Sequence, residues 1–97
     1  MMEAPQIIIV LPSIHDVLAV EDRVRDAGLW VDVLPKPTAI ATDCGMVLGC
    51  RARDLPACLG HVRAAGVSQV DVYRVVADGF LRLDSLDEVP DSGAVAP

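Results

Sequence analysis

The sequence predicts an α+β domain of the ferredoxin-like βαββαβ type. In that arrangement two helices cover one face of a four-stranded antiparallel sheet, here with a short fifth strand at the end of the chain. Three observations predict it. Apolar, β-branched runs alternate with amphipathic stretches in the order strand, helix, strand, strand, helix, strand. Gly28 and Gly66 each stand where an amphipathic stretch ends. Hydrophobic residues make up 53% of 97 residues, enough for one core and one domain.

The elements follow in order. Gln6 to Leu11 is a continuous apolar run stopped by Pro12, as expected of a strand buried on both faces. Ser13 can cap a helix, and Asp16 three positions on resembles the second half of a capping box. Ile14, Val17, Leu18 and Val24 are expected on the buried face of that helix, with Glu21, Asp22 and Arg25 opposite. Trp30 to Leu34 reads as the second strand, Val31 and Val33 facing one way and Asp32 the other.

Pro35-Lys36-Pro37 interrupts the pattern, and residues 36–43 read as a loop, because prolines remove ladder donors and small polar residues follow. That loop is long for a hairpin, a length more often associated with function. Gly45 to Cys50 is the third strand. Asp54 is the expected cap of the second helix, with Pro56 near its first position and Leu55, Cys58, Leu59 and Val62 as its buried stripe. Gln69 to Val76 is the fourth strand; after the Ala77-Asp78-Gly79 turn, Phe80 to Leu83 adds a hairpin strand. The domain is expected to span residues 1–83. The tail, 84–97, turns acidic, then rich in Pro, Gly and Ala, and reads as disordered.

Composition excludes several function classes. The net charge is −6 with no basic block, and aromatics are limited to one Trp, one Tyr and one Phe, so neither phosphate attraction nor base stacking is supported. No nucleic-acid partner is expected. The longest apolar run, Ile7 to Leu11, is too short to span a bilayer, so no membrane role is expected. The first residues lack a secretory pattern and the three cysteines do not form a disulfide framework, which points to the reducing cytoplasm.

The cysteines carry the remaining chemistry. Cys44, Cys50 and Cys58 show no CxxC spacing, which argues against zinc, iron–sulfur and thioredoxin-type sites; no metal or cofactor is expected. Cys58 shares a helical face with Leu55, Leu59 and Val62, and Cys50 shares a strand face with Met46 and Leu48; both read as packing residues. Cys44 stands apart, in the loop run Thr42-Asp43-Cys44-Gly45.

In the expected sheet, the first and third strands are antiparallel neighbours, which places Cys44 near Ser13, Ile14 and His15. A helix N-terminus stabilises a thiolate, and His15 can accept a proton or supply a cation. Gly45 leaves the sulfur approachable. Asp43 opposes ionisation of the thiol unless Lys36 or the helix compensates. The candidate site is therefore Cys44 as the reactive thiol, with Gly45, Ser13, His15, Lys36 and Asp43 in support.

These features together resemble a known family of small selenium/sulfur carrier-like proteins. The resemblance covers about residues 7 to 76. It rests on the opening strand into Pro12-Ser13 with His15, the Gly28 turn, Pro35-Lys36-Pro37, and above all Asp43-Cys44-Gly45 leading into an apolar strand. It implies a non-enzymatic carrier that holds a persulfide or selenide on Cys44 and relays it from a donor, such as a cysteine desulfurase, to an acceptor protein. The chain departs from the family's usual pattern at Thr38, where an Arg is usual; Lys36 is the nearby cation able to substitute.

Ferredoxin-like domains also serve as binding, regulatory or dimerisation modules, and in that alternative Cys44 is a structural cysteine. Two helices cover only one face of a sheet whose central strands are apolar on both, so a homodimer through the second face is expected to cover the other.

Overall fold

The computed structural model describes residues 4–83; the expected disordered tail, 84–97, lies outside them. The elements are β1 (Ile7–Val10), α1 (Ile14–Asp26), β2 (Val31–Pro35), β3 (Met46–Cys50), a 3-10 turn (Ala52–Asp54), α2 (Leu55–Ala64), β4 (Asp71–Val76) and β5 (Gly79–Arg82). All strand pairings are antiparallel, and the sheet order is β2-β3-β1-β4-β5. The chain is thus α+β with two helices and a five-stranded sheet, consistent with the ferredoxin-like expectation. It differs from the four-stranded form because β5 turns back on β4 through Ala77 and Asp78.

β1 is short and central. Ile7 pairs with Cys50 of β3 on one side and with Arg74 of β4 on the other, so both edges of the strand are used. Alternation divides its side chains between two cores. Ile7 and Ile9 join the larger one, under the helices, with Leu48, Cys50, Val31 and Val72. Ile8 and Val10 join a smaller cluster on the opposite face, with Val47, Ile40 and the flanking Leu34, Tyr73 and Phe80. The continuous apolar run is explained by burial on both faces.

Over β1 and β3 the second sheet face is therefore covered within one chain, whereas Leu34, Tyr73 and Phe80 are half-buried and Val75 is exposed. Ile8, Val10, Val47 and Ile40 are all buried, and Ile40 comes from the loop between β2 and β3. Burial of these strands does not depend on a second copy, because the loop supplies an apolar cover that the composition of residues 36–43 did not suggest.

The helices start and stop as their sequences dictate, with two differences. The Ser13 Oγ accepts from the Asp16 N–H at 3.2 Å, the expected cap. Its hydroxyl donates back to the Asp16 carboxylate at 3.1 Å, so Asp16 answers the hydroxyl and not the backbone. The buried stripe of α1 is Val17, Val20 and Val24; Ile14 and Leu18, expected inside, are 42% and 52% exposed. At about 100° per residue Leu18 lies well round from Val17, and the sheet contact follows the narrower valine stripe. Each fully buried valine contributes about 1.5–3 kcal/mol.

Both helices end in the same motif. Gly28 (φ 81°) donates to the Arg25 carbonyl and Leu29 to that of Val24; Gly66 (φ 84°) donates to Arg63 and Val67 to Val62. This is the Schellman arrangement, in which a residue without a Cβ takes the left-handed conformation. The α2 stripe of Leu55, Cys58, Leu59 and Val62 is buried as expected. Its start is weaker: Asp54 holds the cap position without a side-chain cap bond. Its backbone is already helical (φ −95°, ψ 0°) because the 3-10 turn feeds directly into α2.

Gly49 is required by a close approach. A Cβ there would lie 2.7 Å from the Pro5 Cβ and 3.1 Å from the Leu34 Cδ1. The missing side chain lets the segment entering β1 lie against β3. Gly49→Ala is expected to destabilise the fold by about 1–3 kcal/mol, read as a lower urea midpoint at unchanged slope.

Candidate functional site

The candidate site is built by the chain entering β3. The backbone N–H of Lys36 donates to the Gly45 carbonyl at 2.9 Å, closing the loop at its base. Ile40 N–H donates to Pro37 at 3.0 Å, forming a turn that drives the Ile40 side chain into the smaller core. Thr42 then uses its hydroxyl to accept from the Cys44 N–H at 3.2 Å, a local turn of the kind short hydroxyl side chains favour.

These bonds turn Cys44 inward. Its side chain is 6% exposed and belongs to the larger core, on the sheet face opposite Ile40. The thiol donates to the Met46 carbonyl at 3.3 Å. Residues 40 to 44 thus reach both faces of the sheet, Ile40 pinning one side and Cys44 the other.

The other candidate residues are distributed unevenly around the sulfur. The β1–β3 pairing ends at Ile9 and Leu48, and beyond it Leu11 and Pro12 share a cleft with Thr42 and Asp43, which brings the loop beside the turn before α1. The Ser13 hydroxyl is engaged by Asp16 at the start of α1. His15 is exposed in the first turn of α1, Asp43 is exposed on the loop, and Lys36 is half-buried at the loop base. Among the described residues, no side-chain hydrogen bond joins His15, Lys36 or Asp43 to Cys44, whose own bonds go to Thr42 and Met46. Gly45 is exposed, and a Cβ built on it would meet nothing within 4 Å, but the Cys44 sulfur itself is turned into the core, so the expected approach to it over Gly45 is closed at rest. Thr38 is exposed.

Next to this segment lies an open cleft of about 570 Å³. Its walls are the end of β1 and the following turn (Val10, Leu11, Pro12), the loop residues Thr42 and Asp43, and the entry to β4 from Ser68 to Asp71. The Asp71 carboxylate is held by Arg82 at 2.9 Å, which leaves Asp43 as the exposed acid on the loop wall.

The other two cysteines, read separately from the sequence, are brought together. Cys50 at the end of β3 and Cys58 in the first turns of α2 are fully buried in one core cluster. Interaction with the Cys58 thiol, then burial, pushes the Cys50 thiol far above the ordinary range. The same interaction draws Cys58 below its ordinary value, against the opposing effects of burial and of the Asp54 carboxylate. Their spacing of eight in sequence carries no metal or redox signature. The usable signal was that one ends a buried strand and the other lies on the buried stripe of the next helix.

Among the described residues, no helix is long and apolar enough to cross a membrane. Comparison with curated proteins and with solved structures gives no match. A family model described as "Putative Se/S carrier protein-like" matches residues 6–74, a span that contains β1, the Cys44 loop, both helices and most of β4. By that match over most of its length, the chain belongs to the Se/S carrier protein-like family.

Proposed function

We propose that this protein carries sulfur or selenium on Cys44 and relays it from a donor, such as a cysteine desulfurase, to an acceptor protein in the cytoplasm. The observation that carries the reading is family membership across the span that holds Asp43-Cys44-Gly45. A carrier family is consistent with a non-enzymatic role. The local structure supports the choice of sulfur: Cys44 is the cysteine that lies in the loop, next to Thr42 and Asp43, which share a cleft with Pro12 just before α1.

The transfer step balances without a cofactor. The Cys44 thiolate attacks the terminal sulfur of a donor persulfide. A new S–S bond forms on Cys44, the donor's S–S bond breaks, and the donor cysteine leaves as a thiolate. A donor carrying selenium in place of that sulfur transfers it by the same displacement. The acceptor thiolate repeats the step on loaded Cys44.

Burial sets the condition for this chemistry. With Cys44 turned into the core, loading requires residues 40–44 to swing away from the sheet and break the Sγ bond to Met46. A partner that displaces the loop supplies that opening. The Ile40 side chain is the brake, since it must leave a fully buried position.

The same burial favours a second reading, a non-catalytic binding, regulatory or dimerisation module in which Cys44 is structural. In that reading the exposed Ile14 and Leu18 on α1 offer apolar surface for a partner or a second copy.

Two measurements separate these readings. After incubation with a cysteine desulfurase and cysteine, intact mass is expected to rise by about 32 Da, one sulfur atom, on Cys44, and a stably folded Cys44→Ser variant is expected to stay unloaded. Sulfur found elsewhere, or equal loading of Cys44→Ser, favours the structural reading. Ile40→Ala is expected to cost about 2–5 kcal/mol of stability and to speed alkylation of Cys44 more than that of Cys50 or Cys58. Equal acceleration at all three would mean that Cys44 opens only on global unfolding.

A further inference from the structure

Cys50 and Cys58 form a thiol pair outside the carrier site. Cys50 is the last residue of β3, opposite Ile7 of β1 and Val31 of β2, so its side chain stands on the helix face of the sheet. Cys58 comes down from α2 between Leu55, Leu59 and Val62. The two are free, 0% and 1% exposed, and members of one buried cluster. Cys44 and Cys50 stand six positions apart on the segment that enters and forms β3, roughly 20 Å of extended chain, so the pair is out of reach of the carrier thiol.

We propose that Cys50 and Cys58 are a redox modification site, a buried dithiol that closes to an intramolecular disulfide when it meets a hydroperoxide. The chemistry takes two steps. The Cys58 thiolate attacks one peroxide oxygen, the O–O bond breaks, and the sulfur becomes a sulfenic acid while hydroxide or alkoxide leaves. The Cys50 sulfur then displaces that hydroxyl as water, its proton going with it, and the S–S bond forms. Two thiols are oxidised by two electrons and one peroxide is reduced. The S–S bond so formed is about 2.05 Å long. The link ties the end of β3 to α2 across the 3-10 turn at Ala52–Asp54.

Cys58 is the attacking sulfur because it stands near the N-terminus of α2, at the positive end of the helix, whereas Cys50 is held within the sheet between β1 and β2.

Access is provided by the weakness of α2. Its first turn has no side-chain cap bond, and Gly60 sits within a helix of only 10 residues. Gly60 is not there for lack of space, because a Cβ built on it would meet nothing within 4 Å. Glycine in a helix interior and a missing cap both lower the free energy of local opening. Opening this turn exposes Cys58 first, leaving the sheet and Cys50 in place.

The test uses the full chain with Cys44→Ser, in which these are the two remaining thiols, treated with hydrogen peroxide under native conditions. The expected product is a monomer about 2 Da lighter, in which peptide mapping finds Cys50 linked to Cys58 by a bond that dithiothreitol removes. Adding Gly60→Ala is expected to slow its formation about two- to five-fold by stabilising α2. A product heavier by one or more oxygen atoms with no lighter species overturns the proposal. So does recovery of both thiols in full on unfolding and alkylation. An unchanged rate in Gly60→Ala overturns access through α2. None of these outcomes bears on sulfur loading of Cys44, so the two conclusions stand or fall separately.

Discussion

The placement of β1 is the constraint on which the rest of the structure depends. Ile7, Ile8 and Ile9 are paired along both edges, and all four residues from Ile7 to Val10 are buried. A strand placed this way needs an apolar neighbour above or below the sheet for every side chain. Ile7 and Ile9 seat the helices, while Ile8 and Val10 anchor the smaller cluster. Since β3 runs antiparallel beside β1, the entry to β3 meets the exit from β1, and with it the start of α1. The position of Cys44 is a consequence of that pairing.

The loop before β3 reconciles two demands. The sheet's second face needs cover, and Ile40 supplies part of it. The segment then crosses the sheet and inserts Cys44 into the opposite core, where its thiol bonds Met46. A residue held this way contributes to packing at rest and becomes available only when the loop moves. The exposed Asp43 and Gly45 on either side keep the outer surface of the segment polar and uncrowded. In the proposed carrier, packing and transfer chemistry pull the same sulfur in opposite directions, and loop opening is the variable that balances them.

The distribution of the three thiols adds a second contrast. Cys44 interacts with backbone and hydroxyl groups of its own loop, whereas Cys50 and Cys58 come from separate elements into one buried cluster. The ionisation of such a pair belongs to the pair and not to either cysteine alone. It sits at the junction where α2 begins, a helix start less reinforced than that of α1, as the uncapped Asp54 shows beside the bonded cap at Ser13.

Local chemistry makes much of this fold legible in the amino-acid order itself. Ser13 ahead of an amphipathic stretch, Gly28 and Gly66 after one, and the Leu55-Cys58-Leu59-Val62 stripe each act over one or two helical turns, a range that sequence records directly. The outlying position of Cys44 in a loop is of the same kind. Tertiary structure decided what depends on which distant surfaces meet: that Val20 and not Leu18 faces the sheet, that Ile40 folds back over β1 and β3, that Cys44 points inward, and that Cys50 touches Cys58. Side-chain direction at a loop and contact between separate elements are set by close packing of the whole domain, and no short stretch of sequence contains that information.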